Sequence, residues 1–326
     1  MKEIEKTSNL DLTSYIIKYE KLNIILNYND INTFDDLRLF SHFQMKNISD
    51  TDIFHKFQCP TKIKFLSQRE KEIAVESIKK GVTDIGIDEV LYEFNELGYR
   101  GSNNIKDLKN SIGIFGCSYT FGEAMPEEKT FTHILQNKIN EPIFNFGIPG
   151  ASIQKITKTF CSINNYYKLK KAIFVLPSLY RYEHIYKRDE RYIDSIDFLP
   201  SWPMEVNGST DSYYSTYKSY DDLTFLNEFI KNVNLIKQNA KINETDIILS
   251  TWDPTLYQYM KDLKVGNPDN LLKIRFLENE RKGFGENVTT FARDGSHPGL
   301  ESNMHTAELL YNFIKNNIII YDKKLI

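Results

Sequence analysis

The chain has 326 residues, of which 41% are hydrophobic and 13% aromatic, enough to build one large core or two modest ones. Lys and Arg number 41 against 44 Asp and Glu, a net charge of −3, and the basic residues are scattered as pairs rather than gathered into a stripe, which argues against nucleic acid as a partner. Cys59, Cys117 and Cys161 are odd in number and lack CxxC spacing, which argues against both a disulfide framework and a structural zinc site.

The opening segment, MKEIEKTSNLDLTSYIIKYEK, carries charges where a signal peptide needs a continuous apolar core. No later run approaches the roughly 18 uncharged apolar residues of a membrane span. The expectation is a soluble, cytoplasmic protein with reduced thiols and no membrane partner.

Residues 1–104 are read as an N-terminal accessory region and connector, and residues 105–326 as an α/β domain. In the first part, SYIIKYEKLNIILNYNDINTFDDLRLFSHFQM has mixed helical spacing, and IKKGVTDIGIDEVLYEFNELGYRGSNN ends in a bend rich in Gly and Asn. Beyond it, short apolar runs alternate with amphipathic ones. Strands are predicted at 111–116, 143–147, 171–177, 245–251 and, more weakly, 271–277. Helices are predicted at 127–140, 152–170, 221–240, 255–263 and 300–317. This rhythm implies a parallel sheet covered on both faces, with ligands at the carboxyl ends of its strands. Residues 178–220 are too long for a strand-to-helix connection, and their Tyr, Arg, His and Trp202 predict a folded insertion beside that edge.

The chemistry-bearing residues fall at the same edge. In SIGIFGCSYTFGEA the first strand ends at Gly116, which allows a tight turn, and Ser118 follows with its hydroxyl and backbone N–H at the sheet edge. A serine hydroxyl is a poor nucleophile at neutral pH and needs a base that is itself oriented. FARDGSHPGL supplies both: Asp294 and His297 are three residues apart, so one turn brings the carboxylate to one imidazole nitrogen and leaves the other for the serine proton. Other readings stay open. Ser118 also suits a helix cap, Asp294 could cap the final helix, and Cys117 could be a thiol nucleophile. Tyr119, Tyr180, Trp252 and Asp253 sit where they would line a pocket, and aromatic rings stack on sugar faces, so a glycan ester or a small-molecule ester is the expected ligand. The residues call for no cofactor and no metal, and they carry no signal for an oligomeric state.

These segments carry a family resemblance. FGCSYTFGEA resembles the first block of the SGNH (GDSL-type) hydrolases, with Cys117 where the Asp of Gly-Asp-Ser stands. FNFGIPGAS resembles the second block, with Gly147, and DGSHPG the final Asp-x-x-His block, all in family order. FNELGYRG resembles the lead-in of a branch met in phage and bacterial surface-glycan gene sets. The resemblance implies a flavodoxin-like three-layer α/β/α sandwich with a parallel sheet, to which residues 1–104 would be an N-terminal extension. It implies a Ser118-His297-Asp294 triad and an oxyanion hole built from the Ser118 N–H, Gly147 and an Asn of the third block. The third strand instead ends FVLPSLYRYEH, with no Gly-x-Asn, so Ser178 or Arg181 must replace the Asn or the hole has two donors. One missing donor costs about 3 kcal/mol of transition-state stabilisation. The expected activity is that of a serine esterase acting on a carbohydrate or small ester. The alternatives are an O-acyltransferase working through the same acyl-enzyme and an inactive binding protein of the same fold.

Overall fold

A strand that is apolar on both faces must lie inside a sheet covered twice, and the computed structural model shows such a sheet. It describes residues 62–65, 75, 79, 90–95, 97–189, 192–198, 222–262, 271–273, 292 and 297–316. In chain order the strands are β1 (Lys62–Phe65), β2 (Val90–Glu93), β3 (Ile112–Gly116), β4 (Ile143–Gly147), β5 (Lys171–Leu176), β6 (Tyr182–Asp189), β7 (Tyr192–Phe198), β8 (Asp246–Thr251) and β9 (Leu271–Lys273). The helices are α1 (Ser118–Phe121), α2 (Phe131–Ile139), α3 (Ile153–Tyr167), α4 (Asp222–Ile242), α5 (Pro254–Asp262) and α6 (Leu300–Asn316).

The main sheet runs β4-β3-β5-β8-β9, every pair parallel. Counting only its own strands, that order is 2-1-3-4-5, the flavodoxin-like winding, and it reverses direction beside β3. Two antiparallel pairs, β1 with β2 and β6 with β7, form separate small sheets.

Strand alternation sorts the core into two layers. Ile112, Ile114, Ile143, Ile173, Val175 and Ile248 pack with Phe131 and Leu135 of α2 and Ala307, Leu310 and Phe313 of α6. Phe115, Phe144, Phe146, Phe174 and Leu249 pack with Phe160 of α3, Phe229 and Val233 of α4 and Leu256 of α5. The second layer is a stack of rings. Phe115 lies 4.8 Å from Phe146 and 5.4 Å from Phe174, both stacked, and Phe160 meets Phe115 and Phe174 edge-on at 5.3 and 5.0 Å. Gly113 makes room for it, since an added Cβ would fall 2.8 Å from the Phe115 ring and 2.9 Å from Leu169.

Two predicted elements differ from those observed. The helix expected over 127–140 starts at Phe131, because Thr130 leaves helical dihedrals (φ −76°, ψ 147°) and its hydroxyl accepts from the His133 amide at 3.4 Å. Glu127–Lys129 form a separate 3₁₀ turn. Within the insertion, residues 182–198 form the β6–β7 hairpin, whose Tyr- and charge-rich alternation did not announce strands; Trp202 lies outside the described residues. For the ring stack, Phe115→Ala should cost about 3–5 kcal/mol, measured as a lower midpoint of urea unfolding. An unchanged midpoint would show that the stack does not bear on stability.

Candidate functional site

Ser118 opens α1, a single helical turn at the carboxyl end of β3. Two glycines hold that turn tightly against the sheet. A Cβ on Gly116 would lie 2.0 Å from Thr120 Oγ1, and one on Gly147 would lie 2.2 Å from the Phe121 nitrogen, so neither position admits even a methyl group. The turn closes at Gly122, in the left-handed region at φ 79°, where the amides of Gly122 and Glu123 both donate to the Ser118 carbonyl, at 2.9 and 3.2 Å. Cys117, immediately before, is fully buried in the α2/α6 layer among Ile112, Ile114 and Phe131.

A helix of one turn leaves its last carbonyls without intrahelical donors. Arg100 supplies them. Its guanidinium donates to the carbonyls of Phe121 (2.9 Å), Gly122 and Met125 (2.5 Å), and it lies over the rings of Tyr92 (4.5 Å) and Phe121 (5.3 Å). Arg100 is 1% exposed, and burial pulls its pKa below the ordinary guanidinium value, opposed by Tyr92, Glu127 and Glu128. It is carried by a tight bend over residues 93–101, in which the Asn95 side chain accepts from the amides of Leu97 and Tyr99 and Phe94 pairs with Arg100. The segment FNELGYRG is therefore a support packed directly beneath the turn after Ser118. The Tyr92 hydroxyl extends it by accepting from the Ala124 amide at 3.0 Å.

Asn145, on β4, fixes the other side. Its carboxamide nitrogen donates to the Thr120 carbonyl at 2.7 Å, and its oxygen accepts from the Gly147 amide at 2.9 Å. The Gly147 N–H thus already has a partner in this structure.

His297 arrives from the opposite end of the chain. Its carbonyl accepts from the Ala292 amide at 2.9 Å, and Pro298 and Gly299 lead into α6. The buried Asn303 secures this approach. Its nitrogen donates to the carbonyls of Pro298 (3.1 Å) and Gly299 (2.9 Å), and its oxygen accepts from the Phe131 amide at 2.9 Å. His297 Nε2 then lies 3.1 Å from Oε2 of Glu123, a carboxylate 1% exposed. The two form an ion pair when the imidazole is protonated. Tyr119 meets the His297 ring edge-on at 5.4 Å.

From there a row of side chains crosses the sheet edge. Tyr119 packs edge-on against Trp252 at 4.7 Å, and the Arg181 guanidinium sits 5.7 Å from the Trp252 ring. Trp252 follows β8, and Arg181 lies in the turn after β5, where its amide donates to the Ser178 carbonyl at 3.1 Å. Asp253 Oδ1 accepts from the amides of Thr255 and Leu256 at the start of α5. Tyr180 packs on Phe225 at 5.4 Å. Burial, joined by a hydrogen bond to Asp222 and the charge of Asp253, holds its phenol above the ordinary value.

Of the residues singled out in the sequence, the structure thus brings the Ser118 turn, Tyr119, His297, Trp252 and Arg181 into one connected row. Asp294 lies outside the described residues. Glu123 was missed: in FGEA it reads as the acidic start of a surface helix. The available signal was its place one residue past a glycine that ends a one-turn helix. Among the described residues no three His, Cys, Asp or Glu side chains gather as a metal site requires, and no helix is long and apolar enough to cross a membrane.

No family model matches the sequence. No curated protein matches it either. Among solved structures, the chain is similar to one described as a lipolytic protein of the G-D-S-L family from Desulfitobacterium hafniense DCB-2, at 13% identity and a TM-score of 0.37, over 61% of this chain and 97% of that one.

Arg100→Met removes the guanidinium donors from the carbonyls of Phe121, Gly122 and Met125; Gly122 keeps the Met125 amide at 3.2 Å and Phe121 the Asn145 nitrogen at 3.5 Å, so the Met125 carbonyl loses most. The variant should lose about 1–3 kcal/mol of stability in chemical denaturation. Arg100→Lys should recover only part of it, because an ammonium lacks the guanidinium's fork. Equal stability of the wild type and Arg100→Met would contradict this role.

Proposed function

We propose that the chain is a serine esterase of the SGNH type, with Ser118 as nucleophile and His297 as base. The observation that supports it most is the position of Glu123. Its amide is bonded to the Ser118 carbonyl and its carboxylate faces His297 Nε2, so one residue ties the serine turn to the only imidazole near it among the described residues.

In the proposed reaction His297 takes the Ser118 proton as Oγ attacks the ester carbonyl. The tetrahedral oxyanion collapses, the alcohol leaves with the proton returned by His297, and water, activated by the same imidazole, releases the acid from the acyl-enzyme. Two carboxylates are available to orient the imidazole and stabilise its charged form: Glu123, observed beside it, and Asp294, three residues earlier in the chain. The oxyanion would rest on the Ser118 amide. The Gly147 amide could join it only by exchanging its bond to Asn145, and Ser178 and Arg181 are the side-chain candidates. Tyr119, Trp252 and Tyr180 offer ring surfaces suited to a carbohydrate ester, in keeping with the glycan-associated branch that FNELGYRG resembles.

The Gly147–Asn145 bond favours one other reading, a protein of this fold retained for binding. Turnover of a chromogenic acetyl ester, with labelling by a serine-directed fluorophosphonate, separates the two. Ser118→Ala should keep its unfolding midpoint and lose about 10⁴-fold or more in turnover, His297→Ala should lose as much, and the double variant scarcely more, since residues acting as a unit are not additive. Glu123→Gln and Asp294→Asn should each be compared with these: the carboxylate that orients the imidazole should cost up to about 10⁴-fold, and the other little. Cys117→Ala should keep most activity. A wild type with neither turnover nor labelling would establish the binding reading, and a dead Cys117→Ala beside a live Ser118→Ala would move the nucleophile to the thiol.

A further inference from the structure

Among the described residues two arginines, Arg100 and Arg181, are deeply buried, and they are provided for very differently. Arg100 is matched with three carbonyls and two ring faces. Arg181 is 8% exposed, yet its Nε and Nη1 are buried with no hydrogen-bond partner among the described residues. Two nearby carboxylates with described side chains are already engaged: Asp253 Oδ1 accepts from two amides of α5, and Asp222 is bonded to the Tyr180 hydroxyl. What Arg181 does contact is the Trp252 ring at 5.7 Å, which steadies a guanidinium without neutralising it. A guanidinium does not deprotonate to relieve its burial, so an unmatched one marks a place where an anion belongs.

Its location supplies the function. Arg181 and Trp252 follow β5 and β8, adjacent parallel strands that end in register at Leu176 and Thr251, on the carboxyl edge that also carries Ser118. The Trp252 and Tyr119 rings link the guanidinium to His297 among the described residues. The geometry points to Arg181 as the receptor for an oxyanion carried by the substrate, a carboxylate or a phosphate. Resting on the esterase reading, it makes the substrate class an acidic ester, such as an acylated uronic acid or sugar phosphate. The planar fork of the guanidinium suits two oxygens of such a group, while the rings beside it take the sugar face.

The test is binding first, because binding does not depend on turnover. Methyl β-glucuronide, glucose 6-phosphate and, as the neutral control, methyl β-glucoside are titrated into the wild type, Arg181→Gln and Arg181→Lys, followed by calorimetry. One of the two acids should bind the wild type about 10-fold or more tighter than the glucoside, and which one does identifies carboxylate or phosphate. Arg181→Gln should abolish that preference and Arg181→Lys restore part of it. Arg181→Gln should also keep or raise the Tm, since it removes an unmatched buried charge. Equal affinity for all three ligands, or a large fall in Tm in Arg181→Gln, overturns the proposal. In kinetics with an acetylated glucuronide, the change should appear as a raised KM. A fall in kcat of about 10²-fold or more at unchanged KM would instead make Arg181 an oxyanion donor and overturn the substrate assignment. Acid binding without any ester turnover would retire the esterase reading and leave the anion site standing.

Discussion

The guanidinium of Arg100, donating to the carbonyls of Phe121, Gly122 and Met125, is the interaction on which the Ser118 edge depends. A single turn of helix is too short to stabilise itself, since nearly all its hydrogen-bonding groups lie at its ends. Here the chain must also reverse at once, through the left-handed Gly122, so that Glu123 faces inward. Water would ordinarily satisfy the exposed carbonyls, but the hairpin of residues 93–101 covers them. A charged donor with several N–H groups answers all three from one side chain, and hydrogen bonds of that kind contribute about 1.5–3 kcal/mol each. The opposing cost is the dehydration of the cation, visible in its lowered pKa.

Two buried carboxamides complete the arrangement. Asn145 joins β4 to the end of α1, and its nitrogen also lies 3.3 Å from the Thr132 hydroxyl on α2. Asn303 joins α6 to the loop after His297 and to the first amide of α2. Each amide offers donor and acceptor from one short, stiff side chain, and inside a low-dielectric core such bonds hold position well. Because both reach α2, the loops bearing the serine and the histidine are referred to the same helix, although Ser118 and His297 lie 179 positions apart in the sequence.

The sheet was legible because its signal is local. Runs such as IGIFG and AIFVLP are apolar at every position, as a strand covered on both faces requires, and the helices between them keep helical spacing. Ser118 and His297 stood out for the same reason, each within a short pattern. What stayed hidden was set by distant partners. Arg100 lies in a stretch whose Gly and Asn read as a connector, and only its complete burial shows otherwise. Glu123 is one more acidic residue until His297 is brought to it. The β6–β7 hairpin escaped because its alternation is of aromatic and charged residues rather than apolar and polar ones.

The contacts at Gly116 and Gly147 make the two sides of the site unequal in their capacity to change. With no space for a methyl group at either glycine, α1 is held close against β3 and β4, and Ser118 is fixed with it. The other wall is formed after β5 and β8, where Arg181 and Trp252 are carried by the segments that follow those strands. On the proposed reading the serine and the ring wall are carried by separate stretches of chain, so a substitution after β5 or β8 can reshape the wall without moving α1.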